Sequence, residues 1–390
     1  MRLCAIISEY NPFHLGHSYQ IRRTREQLPD ALIVSVMSGN YVQRGDLAVW
    51  DKYTRARLAV QAGGPDLVLE LPLTAALSSA EGFARGAVSL IRSLGCVTHL
   101  SFGSECGSAE LLMRAAALTE SEAFRTARAR ALSEGLSYPA ALHRAAQETQ
   151  PDCAAVFSEP NDTLGLEYCR ALRDLCPEIL PITVTRTGAA HDSTDTTENI
   201  CSASHLRTLL YQSHPDSPRF LPTSSRSALN TERIHRISEM EPAILPYLRR
   251  LTPDTLAGIH GFSEGLEHRF AEAAGRARSL PELYEGIKSK RYPLSRVRRA
   301  VLCAYLGITS DLAALPPQYV RVLALNSHGR TVLKQMKSTC SLPVITKPTA
   351  ARALTGDAKS LWTLDMTADN LYHFPETSGS GWKRTPAVVL

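Results

Sequence analysis

The chain has 390 residues, 44% hydrophobic and 21% charged, with a net charge of +5; it is long enough for two or three domains with a sizeable core, and its balance excludes a disordered or fibrous chain. No apolar run approaches the ~18 residues a span needs, and no leader pattern opens the chain, so neither a membrane helix nor a signal peptide is expected. Nine scattered cysteines without a C-x-x-C pair predict the reduced thiols of a cytoplasmic protein, and neither a disulfide framework nor a zinc knuckle.

Residues 3–7 form an apolar run expected to be a strand buried on both faces. Pro12 fixes its own φ and pushes Asn11 out of the helical region, so the chain turns there. A helix is expected from about Gly16 through Tyr19, Ile21 and Arg22 toward Gln27. His14-Leu15-Gly16-His17 then falls on its first turn, where free N–H groups and the positive end of the dipole favour anions. Gly16 lets a phosphate approach the backbone, and two imidazoles can donate to phosphate oxygens. Two surface histidines on a helix start are the plainer alternative. A zinc site is not expected, because no third His or Cys lies nearby in sequence.

Further strands are expected at residues 31–37, 66–71, 97–102 and 179–185, and helices at 51–62, 79–94, within 109–147 and at 161–175. The alternation predicts a mostly parallel sheet with helices on both faces, whose ligands bind at the carboxyl ends of the strands. The H-x-G-H, Gly39, Gly103 and Arg186 each follow a strand and are expected to share one crevice. After the fifth strand comes Cys201-Ser202-Ala203-Ser204-His205-Leu206-Arg207. There Ser202 can cap a helix and Arg207 can face a phosphate, although a plain capped surface helix has the same pattern. Asp46, Lys52 and Arg55 either border the crevice or make helix-start salt bridges.

A stretch rich in Pro, Ser and Thr at 219–231 marks a boundary, and helices are expected beyond it at 232–250, 253–259, 264–274, 280–288 and 294–306. Residues 287–299 carry six basic residues and no Asp or Glu. Such a segment neutralises phosphates, with Tyr292 as a stacking or anchoring ring; a solvated helix face is the plainer alternative. Residues 378–381 read as a flexible tail.

Several of these segments form an ordered set: EYNPFHLGH (9–17), VMSGNYVQRGD (36–46), DLVLELP (66–72), FGSE (102–105), PNDTLGLEY (160–168), TRTGAAHD (185–192), CSASHLR (201–207), and GLEHR (265–269) with IKSKRYPLSR (287–296). The set resembles the bacterial tRNA(Met) cytidine acetate ligase family, of the H-x-G-H nucleotidyltransferase superfamily, over nearly the whole chain. Cys201 and Ala203 depart from the superfamily's I-S-S-T-x-[IL]-R element. Ala190 stands where the family has an aromatic, and Pro293 where it has a Thr.

The resemblance implies an α/β fold: a Rossmann-like nucleotidyltransferase domain with a parallel sheet over residues 1–220, then a mainly α-helical, basic, tRNA-binding domain over 221–390. It also implies a two-step reaction. Acetate attacks the α-phosphorus of ATP, and the acetyl group of the resulting acetyl-adenylate passes to N4 of the wobble cytidine of elongator tRNA(Met). Acetate is already ionised, so the first step needs positioning and charge stabilisation rather than a base; His14, His17 and Arg207 suit that work. The implied ATP site comprises Ile7, Ser8, Glu9, Tyr10, Asn11, Pro12, Phe13, His14, Leu15, Gly16, His17, Ser18, Tyr19 and Gln20, with Gly103, Asn161, Arg186 and Ser202. The implied tRNA contacts are Lys288, Lys290, Arg291 and Arg296. No protein-bound metal is implied, although Mg2+ can accompany ATP. A small-molecule adenylyltransferase acting on a phosphorylated metabolite would use the same ATP motifs, and would not need the basic helical half.

Overall fold

Six consecutive buried residues, LCAIIS, form strand β1 (Leu3–Ser8) at the middle of the sheet. The structure is a computed structural model that describes residues 2–186, 201–375 and 387–388. The TRTGAAHD motif beyond Arg186, including Ala190, and the tail at 378–381 lie outside the described residues. After β1 come β2 (Leu32–Ser38), β3 (Leu67–Leu71), β4 (His99–Ser104) and β5 (Leu180–Thr185). These five strands are parallel, in the order β3–β2–β1–β4–β5. The expected parallel sheet is therefore present, with its fourth strand two residues later than expected, so Gly103 belongs to the strand end.

The flanking helices start where the sequence supplies caps. They are α1 (Leu15–Gln27), α2 (Lys52–Gln61), α3 (Ala80–Ser93), α4 (Pro160–Leu175) and α5 (Ala203–Tyr211). Asp51, Ser79 and Ser202 accept backbone N–H groups of the first turns of α2, α3 and α5, satisfying donors a helix start leaves open. One face of the sheet buries Leu3, Ala5, Val34 and Leu69 against Phe83, Ala87 and Val88 of α3. The other buries Cys4, Ile6, Ile33 and Val68 against Ile21 of α1 and Ala56 and Ala59 of α2. Alternate residues of each strand thus serve opposite layers.

The second half is mainly helical, with Leu266–Arg276, Leu280–Ile287 and α6 (Leu294–Leu306) near their expected positions. The helix expected over 232–250 is shorter, Glu241–Leu248, with Pro242 in its first turn, a position proline tolerates because no N–H is needed there. The sequence reading missed β6 (Val320–Leu325), which pairs antiparallel with β3 and extends the same sheet. It also missed helix α7 (Gly356–Tyr372) and two short strands that join β6, β7 (Val344–Ile345) and β8 (Ala387–Val388). No helix among the described residues is long and apolar enough to cross a membrane.

A buried ionic knot ties the late elements to the early ones. Lys52 Nζ lies 2.6 Å from both Glu70 Oε1 and Asp369 Oδ2. Arg321 Nη1, on β6, lies 3.3 Å from Glu70 Oε2 and 3.2 Å from Asp369 Oδ2. Lys52 therefore belongs to this knot and not to the crevice. Gly39 belongs here as well, because a Cβ at that position would stand 2.5 Å from Glu70 Oε1, whose carboxylate two cations hold in place.

Candidate active site

At the carboxyl end of β1 the chain leaves the sheet through a loop held from beneath. Tyr10 takes a left-handed φ of 44°, which costs about 1–3 kcal/mol for a residue with a side chain. Asn11 Oδ1 accepts the Val49 N–H at 2.8 Å. The buried Arg55 guanidinium donates to the carbonyls of Glu9, Ser38, Gly39 and Trp50. Arg55 thus gathers the ends of β1 and β2 and does not line the crevice. The rings of Tyr10 and Phe13 meet edge to face at 4.9 Å, and the His17 ring packs 5.0 Å from Tyr10 and 5.6 Å from Phe13.

His14 is the N-cap of α1. Its Nδ1 accepts the Gly16 N–H at 3.0 Å, while His17 Nδ1 accepts the His14 N–H at 3.2 Å. This is a reciprocal capping box built from two imidazoles. The rings lie 3.9 Å apart, centroid to centroid. An accepting Nδ1 leaves the proton of a neutral imidazole on Nε2, so both rings present a donor. Burial, with Arg186 and Arg207 beside it, pushes His14 down to about 3. Burial, His14 and Arg186 hold His17 well below its ordinary value. Both rings are neutral donors at neutral pH, and an entering anion would stabilise their protonated forms.

Two arginines stand beside these rings. Arg207 donates from Nη1 to Asn11 O at 3.0 Å and from Nη2 to Ser204 Oγ at 3.1 Å. Ser202 Oγ accepts the His205 N–H at 3.1 Å. Arg186 Nη1 donates to Asn161 Oδ1 at 3.0 Å, and Asn161 donates in turn to Glu105 Oε1. Glu105 Oε2 accepts the Asp162 N–H at 2.8 Å, while Asp162 Oδ1 accepts the Glu105 N–H at 2.9 Å. The FGSE and PND motifs are therefore one reciprocal clasp, with Asn161 inside the first turn of α4 and not at its cap. A Cβ on Gly103 would come within 3.5 Å of the Arg186 side chain, so the bare strand end leaves room beside that guanidinium.

These groups enclose a cavity of about 300 Å3. Of the residues singled out for ATP, it brings together Ile7, Ser8, Glu9, Tyr10, Asn11, His14, Gly16, His17, Tyr19, Gln20, Gly103, Asn161, Arg186, Ser202 and Arg207. Pro12, Phe13, Leu15 and Ser18 do not line it; Phe13 instead packs under His17. Sequence reasoning had not singled out Gln43, Arg44, Phe83, Phe102 and Tyr168, which also line the cavity. All but Phe83 sit inside motifs it had marked. Two neutral donors, a helix N-terminus and two guanidinium groups around one cavity suit a polyphosphate.

The basic segment is a separate surface. Lys288 Nζ pairs with Glu285 at 3.2 Å. Arg291 and Arg296 both reach Glu264 Oε2 at 3.3 Å, and Arg296 also donates to Ser263 Oγ at 2.9 Å. Tyr292 is buried and donates to the Glu264 carbonyl at 2.6 Å, so its ring anchors the segment and does not stack on a ligand. Lys290 is exposed and has no ion-pair partner among the described residues.

A parallel α/β sheet with a phosphate-suited cavity at its strand ends defines a nucleotide-binding, nucleotidyl-transferring class of protein. The HIGH Nucleotidyl Transferase family model matches residues 1–384. A tRNA(Met) cytidine acetate ligase of Clostridium perfringens is 36% identical, covering 96% of this chain and 95% of its own. One of Alkaliphilus metalliredigens is 35% identical, covering 95% and 94%. A crystal structure of Thermotoga maritima TmcAL bound with alpha-thio ATP superposes with a TM-score of 0.91 at 29% identity over 100% of both chains. The chain belongs to the tRNA(Met) cytidine acetate ligase family within the HIGH nucleotidyltransferases.

Proposed function

We propose that this protein activates acetate with ATP as acetyl-adenylate and transfers the acetyl group to N4 of the wobble cytidine of elongator tRNA(Met), forming N4-acetylcytidine. The observation that carries this reading is the pairing of two Nε2–H imidazoles with Arg207 and Arg186 around one cavity, in a chain that aligns end to end with acetate ligases. His14, His17 and Arg207 take the triphosphate and stabilise the charge that builds on the leaving pyrophosphate. Gly103, Asn161 and Arg186 take the nucleoside end. Mg2+ would enter on the phosphate oxygens, because the cavity lining among the described residues holds one carboxylate, Glu9.

Residues 1–220 carry the activation chemistry and residues 221–390 the tRNA contacts, through Lys288, Lys290, Arg291 and Arg296. We place its action in the cytoplasm, a reading supported by the proposed tRNA substrate and by the free thiols among the described residues. The small-molecule adenylyltransferase is not favoured, since the likeness to the ligases runs through the helical half as well. The test is to incubate the protein with ATP, isotopically labelled acetate and tRNA, then analyse the nucleosides by mass spectrometry. Labelled N4-acetylcytidine is expected only when both ATP and acetate are present. ATP turnover onto a phosphorylated metabolite without acetate would replace this reading with the adenylyltransferase.

A further inference from the structure

We infer that Glu9 receives the N4 amine of the target cytosine and is the base that takes its proton during acetyl transfer, an inference that rests on the ligase reading above. Glu9 is the one carboxylate in the cavity lining among the described residues. The other lining groups are unsuited to accept a proton. Both imidazoles spend Nδ1 on backbone N–H groups and hold a proton on Nε2. Arg186 and Arg207 are cations, and burial pushes the Tyr168 phenol far above its ordinary value. Glu9 Oε1 accepts the Gln43 N–H at 2.8 Å, and Oε2 has no hydrogen-bond partner among the described residues. One oxygen is thus fixed, and the half-buried Glu9 lines the cavity.

The segment that fixes Glu9 also leads to the basic helix. Gln43 belongs to the turn of a short hairpin, Tyr41–Val42 with Asp46–Leu47. Arg299 Nη1 on α6 donates to the Gln43 carbonyl at 3.2 Å. Gly45 is pressed so closely on α6 that a Cβ there would stand 2.5 Å from the Arg299 nitrogen. A tRNA held on residues 287–299 therefore lies against the same hairpin that orients the carboxylate. Phe83, Phe102 and Tyr168 add flat apolar surface to the lining, which suits a base.

The step balances. The N4 lone pair forms the C–N bond at the acetyl carbonyl carbon, and one N4 proton passes to Glu9 Oε2. The acyl C–O bond to the adenylate breaks, and its electron pair leaves on the AMP phosphate. Around Glu9 stand Arg55 of α2, which donates to the Glu9 carbonyl, and Tyr168 of α4, which feels the carboxylate's charge. Arg44 of the hairpin turn lines the same cavity.

The test uses the full chain, synthetic acetyl-adenylate and purified tRNA in single turnover. Glu9→Gln keeps an oxygen for the Gln43 N–H, and its urea unfolding midpoint checks the fold. It is expected to slow transfer by about 100-fold or more. Glu9→Asp, which restores a carboxylate, should recover part of the lost transfer rate. Transfer by Glu9→Gln within about five-fold of wild type, or a Glu9→Asp variant no faster than Glu9→Gln, overturns the inference and gives the proton to the leaving phosphate. A loss of AMP affinity equal to the loss of rate also overturns it, making Glu9 a nucleotide ligand. Wild-type protein that transfers nothing from acetyl-adenylate brings down the ligase reading and this inference together, an outcome distinct from the two above.

Discussion

The ring of His14 accepts the Gly16 N–H through Nδ1 and so caps α1, which leaves Nε2–H for the cavity that the ring lines. Two consequences of one side chain can be separated by choosing the substitution. His14→Asn keeps a side-chain acceptor at the N-cap and removes the imidazole donor. Its stability is expected to stay within about 0.5 kcal/mol of wild type, while acetate-dependent pyrophosphate exchange falls by about 100-fold or more. His14→Ala loses the cap too and should be about 1 kcal/mol less stable in urea unfolding. Equal stability of the two variants would mean that the ring does not cap the helix. Equal exchange by Asn and wild type would mean that it does not serve phosphate. The anion-binding role was legible from H-x-G-H after a strand, because it is a property of a helix's first turn and needs no distant partner; the imidazole cap was not, because His14 was expected inside the first turn and not at its N-cap.

Elements meet at a seam that local patterns do not reveal. Gly45 has a φ of 75°, and its backbone lies against Arg298 and Arg299 of α6. Gly45→Ala meets both a strained φ and a backbone clash, so a loss of roughly 1–3 kcal/mol is expected in urea unfolding, with acetyl transfer slowed as the Gln43 contacts loosen. An unchanged midpoint would show that the hairpin and α6 separate freely. On the basic segment, Glu264 occupies Arg291 and Arg296, whereas Lys290 is exposed. Lys290→Ala is expected to lower the slope of log affinity against log salt for tRNA by about 0.7–0.9, and Arg296→Ala by less. Equal slopes for both would remove the distinction. The basic run itself was readable as a charge pattern. Its pairing with Glu264, in the turn before the Leu266–Arg276 helix, and the burial of Tyr292 were not, because both depend on how separate segments pack.

At the scale of the whole molecule, the apolar runs of the five parallel strands were readable one by one, but the place of β6 was not. Its partner β3 lies some 250 residues earlier, and Arg321 within it looks like an exposed charge until Glu70 and Asp369 enclose it. The same burial sets an unusual pH response. Asp365, on α7, accepts from the Tyr319 hydroxyl; burial and the nearby Glu70 raise it from 3.8 to about 7. Between those values the folded protein holds a proton that the unfolded chain has released, so stability falls as pH rises, by about 1.4 kcal/mol per unit. His14 acts in the opposite sense. Ordinarily near 6.5 and held at about 3 when folded, it binds its proton more readily in the unfolded chain, so stability is fully present above 6.5 and is lost as pH falls below it. From pH 3.8 to 6.5 the two contributions offset each other. Asp365→Asn removes one side of this balance and keeps an oxygen for the Tyr319 hydroxyl. The stability of the variant relative to wild type should therefore climb by about 1.4 kcal/mol per pH unit from about pH 4.5 to 6.5 and level off above about 7. Urea unfolding at a series of pH values measures that difference directly. A difference that stays flat would mean that Asp365 is already ionised in the folded protein and that the knot holds three carboxylates against Lys52 and Arg321.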